Sequence, residues 1–465
     1  MPARSQMAFP TSSQDGLRLQ DGSRVGVVGA GPAGSFFAYF LLNMAGQVGL
    51  DLQVEIFESR DFLQPAPQGC NMCGGIVSES LVQNLAAEGI NLPTTVIQRG
   101  IDSYHLHMDA GSVRIETPLH ATRIGAVHRG SGPRDVQRRD WESFDDHLLQ
   151  KAIGRGARLV PARVDGVGLE EGRPVLKIRG GGQERYDLLA VAVGVNSPVV
   201  QAFENVGIGY TRPAVTKAFI REYQLGRDVI SQTVGSSMHV FLLAIPRLEF
   251  AAVIPKGDYV TVCLLGQDID DALVQAFLDA PEVRRCFPPD WRPDAKSCQC
   301  MPHINVRGPA RPYADRILFV GDCGVTRLYK DGIGAAYRTA KAAARTSVFE
   351  GISADAFHRH YGPVCRTIAA DNVMGRLAFV FTRVVRHMRV ARRAILRMTV
   401  EEQRRPAHLR RMSGILWDMF SGSAPYKDIF LRLLRPACVA GFAWAFVRSM
   451  WPPASASGGG QEKMS

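Results

Sequence analysis

Three glycines limit what this chain can fold into more than any other feature. Gly29, Gly31 and Gly34 follow the β-branched run "SRVGVV" and open an apolar helical segment over 35–44. In a strand–turn–helix unit, Gly29 permits the tight turn and Gly34 lets helix and strand pack closely. Gly31, with Pro32 and Ala33 behind it, lets backbone approach a pyrophosphate. The helix N-terminus then turns free N–H groups and a positive dipole end toward the phosphates. A second strand, "LQVEIFE", ends at Glu58, where a carboxylate can accept hydrogen bonds from an adenosine ribose. Strand, glycines, helix, strand and acid in this order predict a dinucleotide-binding unit.

The chain has 465 residues, more than one core usually serves, and 46% of them are hydrophobic, an ordinary share for an α/β enzyme. Nine scattered cysteines are not the dense framework of a small secreted domain. Residues 1–22 carry no apolar stretch of signal-peptide length and are read as a disordered leader of a cytoplasmic protein. The chain holds 55 Lys and Arg against 44 Asp and Glu, and the whole surplus lies beyond residue 360. A basic C-terminal region on a balanced body points to an anionic surface as partner.

A second element lies near residue 320. "RILFVGDCGVTRLYKDGIGAAYRTAKAAA" predicts a buried strand, then Gly321-Asp322, a loop, and Gly332-Ile333-Gly334 opening an Ala-rich helix. This resembles the second FAD fingerprint of the glutathione-reductase-like flavoproteins. The resemblance implies that Asp322 holds the ribityl chain and that the helix N-terminus faces the flavin pyrimidine, where reduced flavin is negative. "DVQRRDWESFDDHLLQKAIGRGARL" resembles the superfamily's Arg-containing helix start, with Arg139 as its arginine. The implied cofactor is FAD.

Within that superfamily, the Asp-Gly pair of aromatic hydroxylases is replaced by Val193-Gly194, and the halogenase WxWxIP signature has only "FAAVIP" as its nearest match. The resemblance that remains is to the geranylgeranyl reductase family, over about residues 23–360. It rests on Cys73-Gly74-Gly75 and on "FAAVIPKGDYVTVCLLG", which keeps Phe250, Pro255 and Lys256-Gly257-Asp258. It implies that Cys73, Gly74 and Gly75 lie beside the flavin at the substrate cavity. Ala252 and Ile254, where larger rings are usual, imply a differently shaped cavity. Cys70 and Cys73 also stand in CxxC spacing, which admits a redox pair, a half metal site, or two packed thiols. Cys298 and Cys300 are poorly spaced for zinc, and His105 and His107 alternate on a predicted strand without a visible third ligand, so no metal is expected.

The expected architecture is α/β: a Rossmann-like FAD-binding domain (23–99, 126–204 and 301–360) with an inserted, mainly antiparallel substrate domain (100–125 and 205–300). A helical basic region follows (361–465). In its first part Arg376, Arg383, Arg386, Arg389, Arg393 and Arg397 share one face of a predicted helix, opposite Leu377, Phe381, Val384, Met388, Ala391 and Ile395; Arg392 breaks the pattern. The run 436–447 is uncharged and flanked by arginines and tryptophans, too short to span a bilayer but suited to its interface.

These readings converge on reduction of carbon–carbon double bonds in an isoprenoid or related lipid by hydride from reduced flavin. Phe241, Phe250 and Tyr259 are the aromatic candidates to face a developing positive charge. The donor would be NADPH, a ferredoxin or a quinol. The protein would rest peripherally on the inner face of the cytoplasmic membrane through its C-terminal region, with no role for nucleic acid. Two other uses of the same parts are a flavin monooxygenase on a lipid or secondary metabolite, and a membrane-docked electron carrier to quinone.

Overall fold

The computed structural model describes residues 17–64, 73–117, 124–133, 140–294 and 297–451. Its first sheet runs Tyr313–Ala314, Ile317–Phe319, Leu188–Val191, Ser23–Val28, Leu52–Phe57, Arg158–Val160, all parallel except the first pair. The strand Ser23–Val28 lies centrally and is buried along nearly its whole length, as parallel strands covered on both faces must be. Helices Pro32–Gln47, Phe144–Ile153 and Gly332–Arg345 cover one face, sharing a core with Phe36, Phe40 and Ala340. Residues 17–22, read from sequence as the end of a disordered leader, are ordered. Leu19 is buried, and the Leu17 carbonyl accepts a hydrogen bond from Ile352 N at 2.8 Å.

The second sheet has the order Gln299–Cys300, Ala214–Gln224, Tyr259–Gly266, Leu248–Lys256, Ser237–Phe241, Ser103–Met108, Gly111–Glu116. It is antiparallel but for the pairing of Ser237–Phe241 with Ser103–Met108. His303–Arg307, expected in the FAD-binding domain, adds to this sheet by pairing with Ala214–Gln224.

The C-terminal region is not an appendage. Helices Gly362–His387, Arg389–Gln403, Arg411–Ser421, Tyr426–Leu433 and Pro436–Met450 close over one face of the second sheet. Trp417 meets Tyr104 edge-on at 4.8 Å, and Gly375 lets two helices cross, since a Cβ there would meet the Tyr426 ring at 2.7 Å. Each large apolar side chain buried in this seam contributes roughly 1.5–3 kcal/mol.

The single basic amphipathic helix expected around 376–397 is two helices, broken at Met388, whose backbone is extended. Its two faces do not survive either. Arg386 and Arg392 are buried, and Arg392 reaches Asp109 on the second sheet at 2.6 Å. Of the expected apolar face, Ala391 and Ile395 are buried, while Leu377, Phe381, Val384 and Met388 are exposed.

Candidate active site

A cleft of about 690 Å³ lies between the two sheets, lined at one end by Gly29, Gly31, Pro32, Ala33, Glu58 and Arg129. Towards the second sheet its walls pass through Gly321, Asp322, Gly332 and Ile333 to Cys73, Gly74, Gly75 and Phe250. The glycines are required for distinct reasons. Gly29 holds φ +102°, and a Cβ on Gly34 would stand 1.9 Å from the Gly29 carbonyl oxygen. A Cβ on Gly31 would instead face open space, with only Arg129 Nη2 within reach at 3.9 Å. Gly34 therefore closes helix on turn, whereas Gly31 keeps the cleft clear.

Glu58 ends its strand buried, its carboxylate accepting from Ala30 N and from Arg60. Asp322 enters the cleft beyond Gly321, and its carbonyl accepts from Asn305 Nδ2 at 3.0 Å. The helix Gly332–Arg345 begins at Asp331, which has a left-handed backbone, and its first residues Gly332 and Ile333 line the cleft. Gly334 serves Asp331 rather than the cleft, because a Cβ there would collide with the Asp331 carboxylate.

Arg139 lies outside the described residues, as do Cys70 and the CxxC question that depends on it. The cation found at the Gly31 turn is Arg129, which sequence reasoning missed. Its guanidinium is held by the buried Asp145 carboxylate at 3.0 Å on two nitrogens. Sixteen residues separate that pair, so no short motif records it.

At the far end, Cys73-Gly74-Gly75 is fixed from below. Gly75 has φ +66°, and a Cβ on it would strike the Val127 carbonyl oxygen at 2.1 Å. Lys256 Nζ donates to the Cys73 carbonyl at 3.1 Å and to Glu222 Oε1 at 3.0 Å, and Glu222 also accepts from Thr261 Oγ1 at 2.8 Å. The whole cluster is buried. Burial by itself would raise the Glu222 pKa, but the Lys256 ammonium and the hydrogen bonds from Lys256 and Thr261 hold it below the usual carboxylate range.

Two expected aromatics are elsewhere. Tyr259 packs among His128 and Trp141, each about 6.0 Å away, and does not line the cleft. Phe241 stacks on His107 on the far face of the sheet. Both are displaced because strand register, invisible in the sequence, decides which face each occupies. Phe250 alone of the three forms cleft wall, and Lys330 Nζ lies 3.9 Å over its ring. Burial depresses the Lys330 pKa to about 8.

Beyond Phe250 lies an apolar chamber of about 310 Å³. Phe250, Leu265, Tyr329, Lys330 and Phe420 line both it and the cleft, while C-terminal helices supply most of its remaining wall, including Phe381, Leu434 and Val439. The same helices pin the loop between Asp322 and Gly332. Asn372 exchanges hydrogen bonds with Leu328 N (2.9 Å) and the Thr326 carbonyl (2.8 Å), and Tyr426 donates to the Leu328 carbonyl at 2.5 Å.

Solved structures of similar shape are FAD-type oxidoreductases. A geranylgeranyl bacteriochlorophyll reductase-like protein from Thermoplasma acidophilum has a TM-score of 0.62 at 16% identity, over 92% of this chain and 100% of that one. A flavoprotein/dehydrogenase from Cytophaga hutchinsonii has a TM-score of 0.60 at 14% identity, over 92% and 99%. A flavin-dependent brominase has 0.56 at 16%, over 91% and 98%. The chain has the Rossmann-type flavoprotein fold. No family model matches the sequence, and no curated protein does.

The flavoprotein cleft fits FAD on its own residues: open space at Gly31 faces an arginine, an acid follows the second strand, and the start of the Gly332 helix lines the other end. Gly34→Val is expected to remove the flavin, because its side chain would have to displace the Gly29 carbonyl. The ratio of flavin to protein absorbance after purification measures this, and a fully yellow variant would contradict it.

Proposed function

We propose that the protein is an FAD-dependent oxidoreductase that reduces a carbon–carbon double bond of an isoprenoid or related lipid. The observation that carries this reading is the apolar chamber sharing five wall residues with the cofactor cleft. A substrate filling it would be almost wholly hydrocarbon and would present its reacting carbons at Phe250 and Lys330.

When bound, FAD in its reduced form supplies the hydride for one alkene carbon. The chain's own residues supply the rest. Lys330 Nζ stands between chamber and cleft with no carboxylate partner among the described residues and, with its pKa near 8, holds a transferable proton at neutral pH for the second carbon. The Phe250 ring offers its face to positive charge developing in the alkene, as it already does to the ammonium. The buried Lys256–Glu222 pair fixes the backbone of 73–75 at the cleft wall, keeping that end narrow. Arg129 and the Gly31 turn would hold the pyrophosphate, Glu58 the adenosine ribose, and Asp322 with the Gly332 helix the flavin end. The donor that restores the reduced cofactor is NADPH, a ferredoxin or a quinol.

Substrate reaches the chamber from a lipid surface. Val373, Leu377, Val380, Phe381 and Val384 are all exposed on one helix, with Met388 at the break that ends it, and Leu431, Leu434, Val439, Trp444 and Trp451, on or just after the last two helices, extend the apolar patch. Phe381, Leu434 and Val439 belong to both patch and chamber wall, so the chamber meets the surface within the patch. No single described helix is long and apolar enough to cross a membrane; Tyr426–Leu433 and Pro436–Met450 together reach that length but are bent by 63°. The arrangement suits peripheral attachment to an anionic membrane such as the inner face of the cytoplasmic membrane. Replacing Leu377, Val380 and Val384 together by Glu is expected to abolish flotation with anionic vesicles while flavin content stays normal. Undiminished flotation of that variant would rule the surface out.

The test of the reaction is an anaerobic incubation of chemically reduced protein with a geranylgeranyl lipid, which should return a lipid heavier by H2.

A further inference from the structure

On the face of the second sheet turned away from the chamber, three histidines converge and a cysteine touches one of them. His105 and His107 alternate along Ser103–Met108, and the parallel partner strand Ser237–Phe241 brings His239 into register with His105. The residues between them, Tyr104, Leu106, Met238 and Val240, belong to the core under the C-terminal helices, so the imidazoles share the opposite face. The sequence showed only the first two histidines. The third comes from a strand more than 130 residues away, and the fourth group, Cys286, follows a short turn of helix packed on the same face.

The contacts are those of ligand atoms without an ion. One ring nitrogen from each histidine lies within 4.8 Å of the others. His107 Nε2 is 2.9 Å from His239 Nδ1, and Cys286 Sγ is 3.2 Å from that same nitrogen. His239 Nε2 lies 3.2 Å from the Val234 carbonyl oxygen, which can only accept. The proton is therefore on Nε2, and Nδ1 of the neutral ring has a single lone pair. The His107 ring and the Cys286 thiol both face it, the thiol also reaching the Glu282 carbonyl at 3.9 Å. His107 is oriented in turn by Ser112 Oγ, 2.8 Å from its Nδ1. Outer nitrogens of His239 and His107 anchored to a carbonyl and a hydroxyl, with one nitrogen of each histidine within 4.8 Å of the others, match how metal-binding imidazoles are held.

We propose that His105, His107 and His239 form a zinc site, with Cys286, whose thiol already touches His239 Nδ1 at 3.2 Å, drawn in as the fourth ligand. Three imidazoles and a thiolate match the preference of Zn²⁺ for four nitrogen and sulfur ligands. Opening the His107–His239 nitrogen pair from 2.9 Å to about 3.3 Å would suit tetrahedral bonds of 2.0–2.1 Å. Binding replaces the Cys286 S–H bond with an S–Zn bond and releases that proton to solvent. The thiolate is needed for charge as well as geometry, since Arg114 and Arg285 lie within electrostatic reach of the imidazoles. Half-buried His105 leaves the ion a way in from solvent, while His107, His239 and Cys286 are buried. The ion would tie Ser103–Met108, Ser237–Phe241 and the 281–287 segment together behind the sheet whose other face forms the chamber.

The test uses the purified full-length protein, stripped with a weak chelator and titrated with Zn²⁺ alone. One equivalent should bind, and zinc K-edge absorption should show one sulfur at about 2.3 Å among nitrogens at about 2.0–2.1 Å. Cys286→Ser should lose the sulfur signal, and Cys286→Ser and His107→Gln should each bind at least about tenfold more weakly, with unchanged circular dichroism as the check on folding. Sub-stoichiometric binding by the wild type, a zinc shell without sulfur, or unchanged affinity in a folded variant would each overturn the assignment. The wild-type sulfur signal decides the matter even if a variant fails to fold.

Discussion

Lys330→Met is expected to slow substrate reduction by about 10²- to 10⁴-fold, the usual contribution of a positioned proton donor, while the purified protein keeps its flavin. Met preserves the length of the stem over Phe250 and removes only the ammonium. Lys330→Arg separates charge from proton transfer: it keeps the cation over the ring but, with a side-chain pKa above 12, does not give up its proton, and it should be nearly as slow. The sign of the pH dependence follows from burial, which lowers the Lys330 pKa to about 8. The acid form is present below that value and lost above it, so the wild-type rate of lipid reduction should fall above about pH 8 and the Met variant should not show this limb. An Arg variant at the wild-type rate would make Lys330 an electrostatic support and leave the proton to water.

Lys256→Met should have the largest effect on stability. It strands the Glu222 carboxylate in a site where residue and neighbours are buried, leaving Thr261 Oγ1 at 2.8 Å and His128 Nδ1 at 3.7 Å. His128 is a poor replacement for the ammonium, because burial lowers its pKa. Breaking a buried pair by removing one partner costs about 3–5 kcal/mol, against a total stability of about 5–15 kcal/mol for a typical domain. A large fall in thermal midpoint and loss of flavin are expected, the latter because the Cys73 carbonyl loses its donor. Adding Glu222→Gln should recover most of the midpoint by removing the stranded charge. Since the folded pKa of Glu222 is lowered, the pair's contribution is present above the ordinary carboxylate pKa and disappears as pH falls through the folded value. A Lys256→Met protein as stable as the wild type would show that the pair is dispensable.

The parts of the site legible in sequence are those whose geometry is local. Gly29 and Gly34 meet each other across five residues, and Gly321, Asp322 and the Gly332 helix start form one strand–loop–helix unit, so composition and spacing suffice to find them. The parts that were not legible depend on distant partners. Arg129 is recognisable only once Asp145 is beside it, Lys256 only once Glu222 and the Cys73 carbonyl are, and Lys330 only once the C-terminal helices have dried its surroundings. Register decided the aromatics in the same way, leaving Phe250 in the wall and sending Tyr259 and Phe241 away from it. The helical character of 376–397 was legible from its period, but its faces were not, because Arg392 is matched by Asp109, 283 residues earlier. That pairing also explains the break in the arginine pattern. The C-terminal helices thus wall the apolar chamber and support the loop at once, and present exposed apolar surface on their outer side.

In the proposed reaction the cleft delivers reducing equivalents to an alkene held in the apolar chamber. The most direct measurement reduces the protein with dithionite under anaerobic conditions, adds a geranylgeranyl lipid, and follows the flavin spectrum while mass spectrometry follows the lipid. Return of the oxidised spectrum together with lipid heavier by H2 is the expected result. A spectrum that stays reduced until oxygen or a quinone is admitted, with the lipid unchanged, would contradict the account and favour a monooxygenase or an electron carrier on the same fold.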